Sequence, residues 1–221
     1  MKTLDVSKGM PENTLIVFNK FSDTKFINKF TLIGGTALSI QIHHRLSEDL
    51  DFILDGDIIN NQFIKRGVAR IFPDYRIIRD DNGYQLDFII NNCKVTFIAT
   101  GTIALPFRVK PLSFPFGNIN IASLKTIAVL KLSAIAQHNT LRDYYDLYYI
   151  SKYFIPLENI FDATKRLNPN LSPITYSETL AYTKDILEES IEEHLGPKEV
   201  VTKTEIENYF INELKKIHRK E

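Results

Sequence analysis

Residues 34–52 read GGTALSIQIHHRLSEDLDF, and the order of residue types in this stretch sets the local fold. Just ahead of it, Phe30 to Ile33 is an apolar run of β type. Two glycines follow, then Thr36 and residues of helical character, so the pattern predicts strand, tight turn and helix in that order. Glycine lets backbone N–H groups approach a phosphate at a helix N-terminus, which makes Gly34 and Gly35 a candidate anion cradle. After Arg45-Leu46-Ser47-Glu48, the segment Asp49 to Leu54 alternates polar and apolar residues at its start and reads as a strand. Strand side chains alternate with period two, so Asp49 and Asp51 are expected to stand side by side on one face. Adjacent carboxylates repel unless a cation intervenes. Mg2+, a hard ion, takes carboxylate oxygens and leaves positions for phosphate oxygens. Taken singly, Asp-X-Asp and paired glycines are common surface and turn patterns; their ordered combination is the specific signal.

Working outward, Asp55-Gly56-Asp57 closes the strand, and Ile58 to Phe72 reads as an amphipathic helix ended by Pro73. Tyr75 to Ile78, Tyr84 to Ile90 and Lys94 to Ala99 read as strands, the last two joined by Asn91-Asn92 as a hairpin. The stretch LPFRVKPLSFPFGN, Leu105 to Asn118, carries three prolines and is expected to be an extended connection. From Ile121 onward the pattern is helical, with interruptions near Asn139-Thr140, Pro156, Pro169, Pro173 and Gly196-Pro197. The expected organisation is an α/β (α+β) core over 1–104, a Pro-rich connection over 105–120 and a helical region over 121–221.

A second stretch, residues 131–148, reads KLSAIAQHNTLRDYYDLY. As one unbroken helix it would line Lys131, His138 and Arg142 along a narrow basic stripe suited to triphosphate oxygens. Thr140 with Asp143 three positions on also resembles an N-terminal capping pair, which would break the helix at Asn139 and make Asp143 a cap. The residues leave both readings open. Tyr144, Tyr145, Tyr148 and Tyr149 read as helix packing, with contact to a base as the alternative. His43 and His44 read as a helix-end pair, Arg45 as an organiser of the Asp49–Asp51 loop, and Cys93 as core.

The 27 Lys and Arg balance the 27 Asp and Glu, so any nucleic-acid contact must be local. The run Lys215-Lys216-Ile217-His218-Arg219-Lys220 is one such local basic element, or a solvated tail. Apolar residues make up 44% and charged residues 24%, as in ordinary folded domains. The one cysteine excludes an internal disulfide and a cysteine zinc cluster, and no segment reads as a signal peptide or membrane span, so a cytoplasmic location is expected.

The first motif closely resembles the signature of the AbiEii/AbiGii toxin family of nucleotidyltransferases: Gly-Gly-Thr, a helix, then His-Arg-X-Ser-X-Asp-X-Asp. Gly34, Gly35, Thr36, His44, Arg45, Ser47, Asp49 and Asp51 match it. Lys131, Asp143 and Asp146 match a second family motif, with Arg142 standing where relatives have lysine and His138 where many have arginine. Together the motifs anchor roughly residues 25–150. The resemblance implies a nucleotidyltransferase-type mixed sheet with flanking helices, followed by a helical region that completes the nucleotide cleft. It also implies Mg2+-dependent transfer of a nucleoside monophosphate from an NTP to an acceptor hydroxyl, with pyrophosphate released. Asp49 and Asp51 would be catalytic metal ligands, with backbone and side chains of Gly34, Gly35, Thr36, Arg45, Ser47, Lys131, Arg142 and Asp146 on the nucleotide. Lys131 would also serve catalysis. The cellular role implied is that of a type IV toxin or phage-defence protein with an antitoxin partner. Some relatives modify tRNA ends, so the acceptor is expected to be tRNA, another RNA or a protein.

One departure stands out. Where relatives often carry a third carboxylate on a later strand, this chain reads Lys94-Val95-Thr96-Phe97, and Asp87 is the nearest substitute. Either Asp87 takes that role, or two acids suffice, or activity is weakened or lost. A binding regulator with the same fold and no turnover is therefore the alternative function, and a helical interaction module on an α/β scaffold is the third.

Overall fold

The computed structural model describes residues 4–137 and 140–219, which form two compact units, one ending at Thr126 and the other beginning at Ile127. The first unit is built on a seven-stranded mixed sheet of order β3-β4-β5-β2-β1-β7-β6. Its strands are β1 (Thr31–Ile33), β2 (Leu50–Leu54), β3 (Arg76–Asp81), β4 (Gln85–Ile90), β5 (Cys93–Ala99), β6 (Ser113–Phe116) and β7 (Ile119–Ala122). β1 pairs antiparallel with β2 and parallel with β7, and β2 pairs parallel with β5. The β3-β4-β5 meander and the β6-β7 hairpin are antiparallel.

Strand alternation gives this sheet one apolar face. Leu32, Phe52, Phe97, Leu86 and Phe88 are fully buried. Helix α1 (Glu12–Ser22) brings Phe21 against this face, its ring 5.4 Å from Phe52 and 5.0 Å from Phe72, which follows α3 (Asn61–Ile71). Phe52 and Phe97 stack at 5.4 Å, so a chain of aromatic contacts forms the centre of the core. The opposite face carries Asp51, Thr96 and Asp87.

The predicted strand, helix and strand around Gly34 are present as β1, α2 (Gly34–Ile42) and β2, with α2 starting directly at Gly34. The Asn91-Asn92 hairpin is present as well, both residues having positive φ (49° and 57°) as a two-residue turn of the I′ kind needs. Two readings change. The helix expected over Ile58–Phe72 starts later, because Asn60 caps it: its side chain accepts a hydrogen bond from the Phe63 N–H at 3.0 Å. The connection read as extended over 105–120 holds the strand Ser113–Phe116 and the start of the strand Ile119–Ala122, which runs two residues into the stretch read as helical, so the helix begins at Leu124. Pro115 is accommodated because β6 is the last strand of the sheet, where a missing N–H costs no ladder bond.

The chain leaves the first unit within α4 (Leu124–Ile135). The second unit continues with α5 (Leu141–Tyr153), α6 (Leu157–Leu167), α7 (Pro173–Leu180) and α8 (Lys203–His218). Its core includes fully buried Tyr144, Tyr145, Tyr176 and Phe210. Burial raises the Tyr144 phenol well above its ordinary value, and its hydroxyl donates to the Thr179 carbonyl at 2.8 Å. The α5 tyrosines therefore pack, as their spacing suggested. Helix α8 opens with a capping box between Thr202 and Glu205. Among the described residues no helix is long and apolar enough to cross a membrane.

Candidate active site

The loop joining α2 to β2 is held from several sides. His43 ends α2 in the left-handed region (φ 51°), and its ring Nε2 donates to the Asp5 carbonyl at 2.8 Å. The Ser47 N–H donates to the Gly9 carbonyl at 3.0 Å, and the Thr14 hydroxyl donates to the Glu48 carbonyl at 2.7 Å. The Thr36 hydroxyl donates to the Asp49 carbonyl. Arg45 is 5% exposed and donates from Nη1 to the Leu46 carbonyl at 2.8 Å. These bonds fix where Asp49 leaves the loop and where Asp51 enters β2.

Space explains the glycine pair. Gly34 has φ +72°, and a Cβ there would stand 2.7 Å from Asp51 Oδ2. A Cβ on Gly35 would stand 2.8 Å from both Arg45 Nη2 and Ser47 Oγ. Any side chain at either position would fill the room that Asp51, Arg45 and Ser47 use. The start of α2 and the head of β2 therefore meet at backbone distance.

Sheet register extends the site. Asp51 lies opposite Ile33 on β1 and beside Thr96 on β5, and Thr96 lies opposite Asp87 on β4. Directly paired residues project from the same face, so Asp51, Thr96 and Asp87 form one row. Two interstrand spacings separate Asp51 from Asp87, about 10 Å between backbones. Asp87 is 3% exposed, its carboxylate accepts both oxygens' bonds from Gln85 Nε2 at 2.9 and 3.0 Å, and Lys94 Nζ lies 3.7 Å away. Burial pushes the Cys93 thiol up to about 12, and the negative charges of Asp49 and Asp51 add to the rise. Cys93 therefore stays protonated at neutral pH.

The donor set fits a hard dication. Asp49 and Asp51 offer carboxylate oxygens at the head of one strand, and Mg2+ is commonly held by one or two carboxylates together with substrate phosphates. Among the described residues no cluster of three or more His, Cys, Asp or Glu forms a metal cage.

In the second unit, Lys131 on α4 donates to Asp143 Oδ1 at 2.6 Å and lies 2.7 Å from Asp146 Oδ2, both on α5. Lys131 is 8% exposed and Asp146 fully buried. Thr140 occupies the N-cap position of α5, yet its hydroxyl donates to Asp143 Oδ2 at 2.8 Å and caps no backbone group. The unbroken helix is therefore replaced by two, and Asp143 binds a lysine where a pure capping role was the alternative. Arg142 turns to Glu192, with N–O distances of 2.7 and 3.3 Å, and does not extend a stripe from Lys131. His138 lies outside the described residues, as does Lys220 of the C-terminal basic run.

The structure thus brings Gly34, Gly35, Arg45, Ser47, Asp49 and Asp51 together, with Thr36 bonded to the backbone of Asp49 and Asp87 two strands along. Lys131 and Asp146 meet in the second unit. The motif reading missed Gly9 and Thr14, which hold the loop, and Gln85, Lys94 and Glu192, which engage Asp87 and Arg142. Gln85 was within reach of reasoning, since it lies two residues from Asp87 on one strand and so shares its face.

An uncharacterised protein of Aquifex aeolicus (strain VF5) is 29% identical over 194 residues, 84% of this chain and 90% of that protein. Among solved structures, a Helicobacter pylori protein assigned as a nucleotidyltransferase aligns with a TM-score of 0.58 and 18% identity, covering 96% of this chain and 99% of that one. MenT4, a nucleotidyltransferase toxin from Mycobacterium tuberculosis H37Rv, aligns with a TM-score of 0.57 and 13% identity, covering 92% and 84%. At these identities the two structures show a shared fold. The family model described as nucleotidyl transferase AbiEii toxin, type IV TA system, matches residues 15–170, and the chain accordingly belongs to that family of nucleotidyltransferase toxins.

Proposed function

We propose that this nucleotidyltransferase moves a nucleoside monophosphate from an NTP to the hydroxyl of an RNA acceptor in the cytoplasm, and that an antitoxin protein restrains it. The observation that carries the reading is the Asp51 carboxylate set against the backbone of Gly34, with Asp49 two residues before it. Asp49 and Asp51 would hold Mg2+. That ion, when bound, would offset charge on the α-phosphate and on the leaving pyrophosphate.

The remaining roles follow from this chain's own groups. Backbone N–H groups at Gly34 and Gly35 start a helix, where partial positive charge favours phosphate oxygens. Arg45 and Ser47 border the same glycines and would orient the triphosphate. The Thr36 hydroxyl, bonded to the Asp49 carbonyl, serves the site by positioning that residue. The acceptor oxygen forms a bond to the α-phosphorus as the bond to the β-phosphate oxygen breaks, and the hydroxyl proton passes to Asp87.

Incubation with each labelled NTP and total cellular RNA tests this reading. Label should enter RNA from at least one NTP in the presence of Mg2+. Asp49→Ala and Asp51→Ala should each lower the rate by about 10³-fold while circular dichroism stays that of the parent chain. Equal rates in parent and variants would overturn the assignment. Mg2+-dependent NTP binding without any product would favour the binding regulator, the reading that Thr96 beside Asp51 motivates.

A further inference from the structure

On the apolar side of the first unit's sheet, α3 borders a groove of about 630 Å³ whose lining includes Thr24, Phe26, Phe63, Arg66, Arg70 and Ile71. Phe26 contacts Phe97 at 6.1 Å, on the face opposite to that of Thr96, so the groove lies across the sheet from the acid row. Its floor is built to fit: a Cβ at Gly67 would stand 2.3 Å from the Phe26 ring, which therefore lies flush on α3. Phe26 and Phe63 are 5.5 Å apart and tilted by 43°, and Phe63 is 38% exposed.

The charge of this surface is one-sided. Among the described residues no Asp or Glu lines the groove. Arg66 and Arg70 are exposed, one helical turn apart, and have no ion-pair or hydrogen-bond partner among the described residues. Lys29 reaches over the Phe63 ring at 4.4 Å, and Lys20 over Phe72 at 5.4 Å. In a chain whose formal net charge is zero, Arg66 and Arg70 in the groove, with Lys29 over the Phe63 ring beside it, form a local surface for a polyanion. The aromatic rings separate the candidate occupants. An acidic protein segment needs the charge alone, whereas an unpaired nucleic-acid strand needs the charge for its phosphates and a flat apolar surface for its bases. Residues four apart on a helix are about 6 Å apart along its axis, close enough for two guanidinium groups to take neighbouring phosphates of one strand.

We propose that this groove binds a single-stranded stretch of RNA, with bases against Phe26 and Phe63 and phosphates on Arg66 and Arg70. The proposal deepens the RNA-acceptor reading and rests on it for the choice of RNA. It gives the enzyme a grip on its acceptor away from the reacting end.

The test is fluorescence anisotropy of the full chain with a labelled 20-nucleotide unstructured RNA in the absence of NTP. The double variant Arg66→Gln/Arg70→Gln should bind at least about tenfold more weakly, and the slope of log affinity against log salt should be shallower by about 1.4, for two contacts at about 0.7 each. Phe63→Ala should weaken binding by about tenfold with the salt slope unchanged, because stacking releases no counterions. Asp49→Ala should bind RNA as the parent does. The proposal fails if the arginine double variant keeps the parent's affinity and slope, or if Asp49→Ala loses RNA binding. It also fails if the parent ignores RNA and instead binds a glutamate-rich peptide through the same arginines. Arginine-dependent RNA binding without label transfer would leave the groove standing and remove the acceptor reading alone.

Discussion

Asp49 and Asp51 at the head of β2 and Asp143 and Asp146 on α5 are two acid pairs with the same local logic. Two residues along a strand and three along a helix both place carboxylates on one face. Their surroundings differ. Asp51 meets the bare backbone of Gly34, while Asp143 and Asp146 close on the ammonium of Lys131. A buried lysine between two carboxylates ties α4 to α5, whereas Asp51 stands against the glycine turn that opens α2. Spacing identifies paired acids in both places, and the elements around them differ.

Three substitutions sharpen or break this contrast. Lys131→Ala removes the ammonium partner of fully buried Asp146 and should lower stability by about 3–5 kcal/mol in urea unfolding. A loss below about 1 kcal/mol for Lys131→Ala would mean that the clamp reading is wrong. Next in size, Asp87→Asn keeps the shape of the side chain and should slow pyrophosphate release by about 10²-fold, the share of a general base. Unchanged turnover would assign Asp87 to the sheet and leave catalysis to two acids. Smallest, Gly34→Ala forces an alanine to φ +72° and should cost about 1–2 kcal/mol, with further loss of activity as Asp51 is displaced. A melting temperature equal to the parent's would show that the backbone there relaxes freely.

The same contrast explains what could be read from residues alone. The stretch from Phe30 to Leu54 is local, so its strand, helix and strand could be derived from period and glycine placement. The Asn91-Asn92 turn was equally legible, and once its two residues are taken as the turn, Asp87 must fall opposite Thr96. The row through Asp51 needs the parallel pairing of β2 with β5, which no local pattern announces. The β6–β7 hairpin was hidden by Pro115, a residue that argues against a central strand and says little about an edge. The Lys131 clamp was hidden in part. The break between the two helices was one of the two readings that Thr140 and Asp143 left open, but only the packing of the separate helices joins Lys131 to Asp146. The groove beside α3 gave no signal because Phe26 and Arg66 lie on different elements.

β1 has only three residues, yet it is the seam of the sheet, with β2 on one side and β7 on the other. The β4–β5 hairpin can form between near neighbours, but Thr31 must find Asn120, about 90 positions along the chain, before the two halves of the sheet join. Closing so long a loop onto so short a strand gives this pairing the largest loop-closure cost in the sheet. A nascent chain emerging from the ribosome would hold its glycine turn and acid pair on an unfinished sheet until β7 arrives. For a protein of a toxin family, that delay separates the synthesis of the acid pair from the completion of the sheet that carries it.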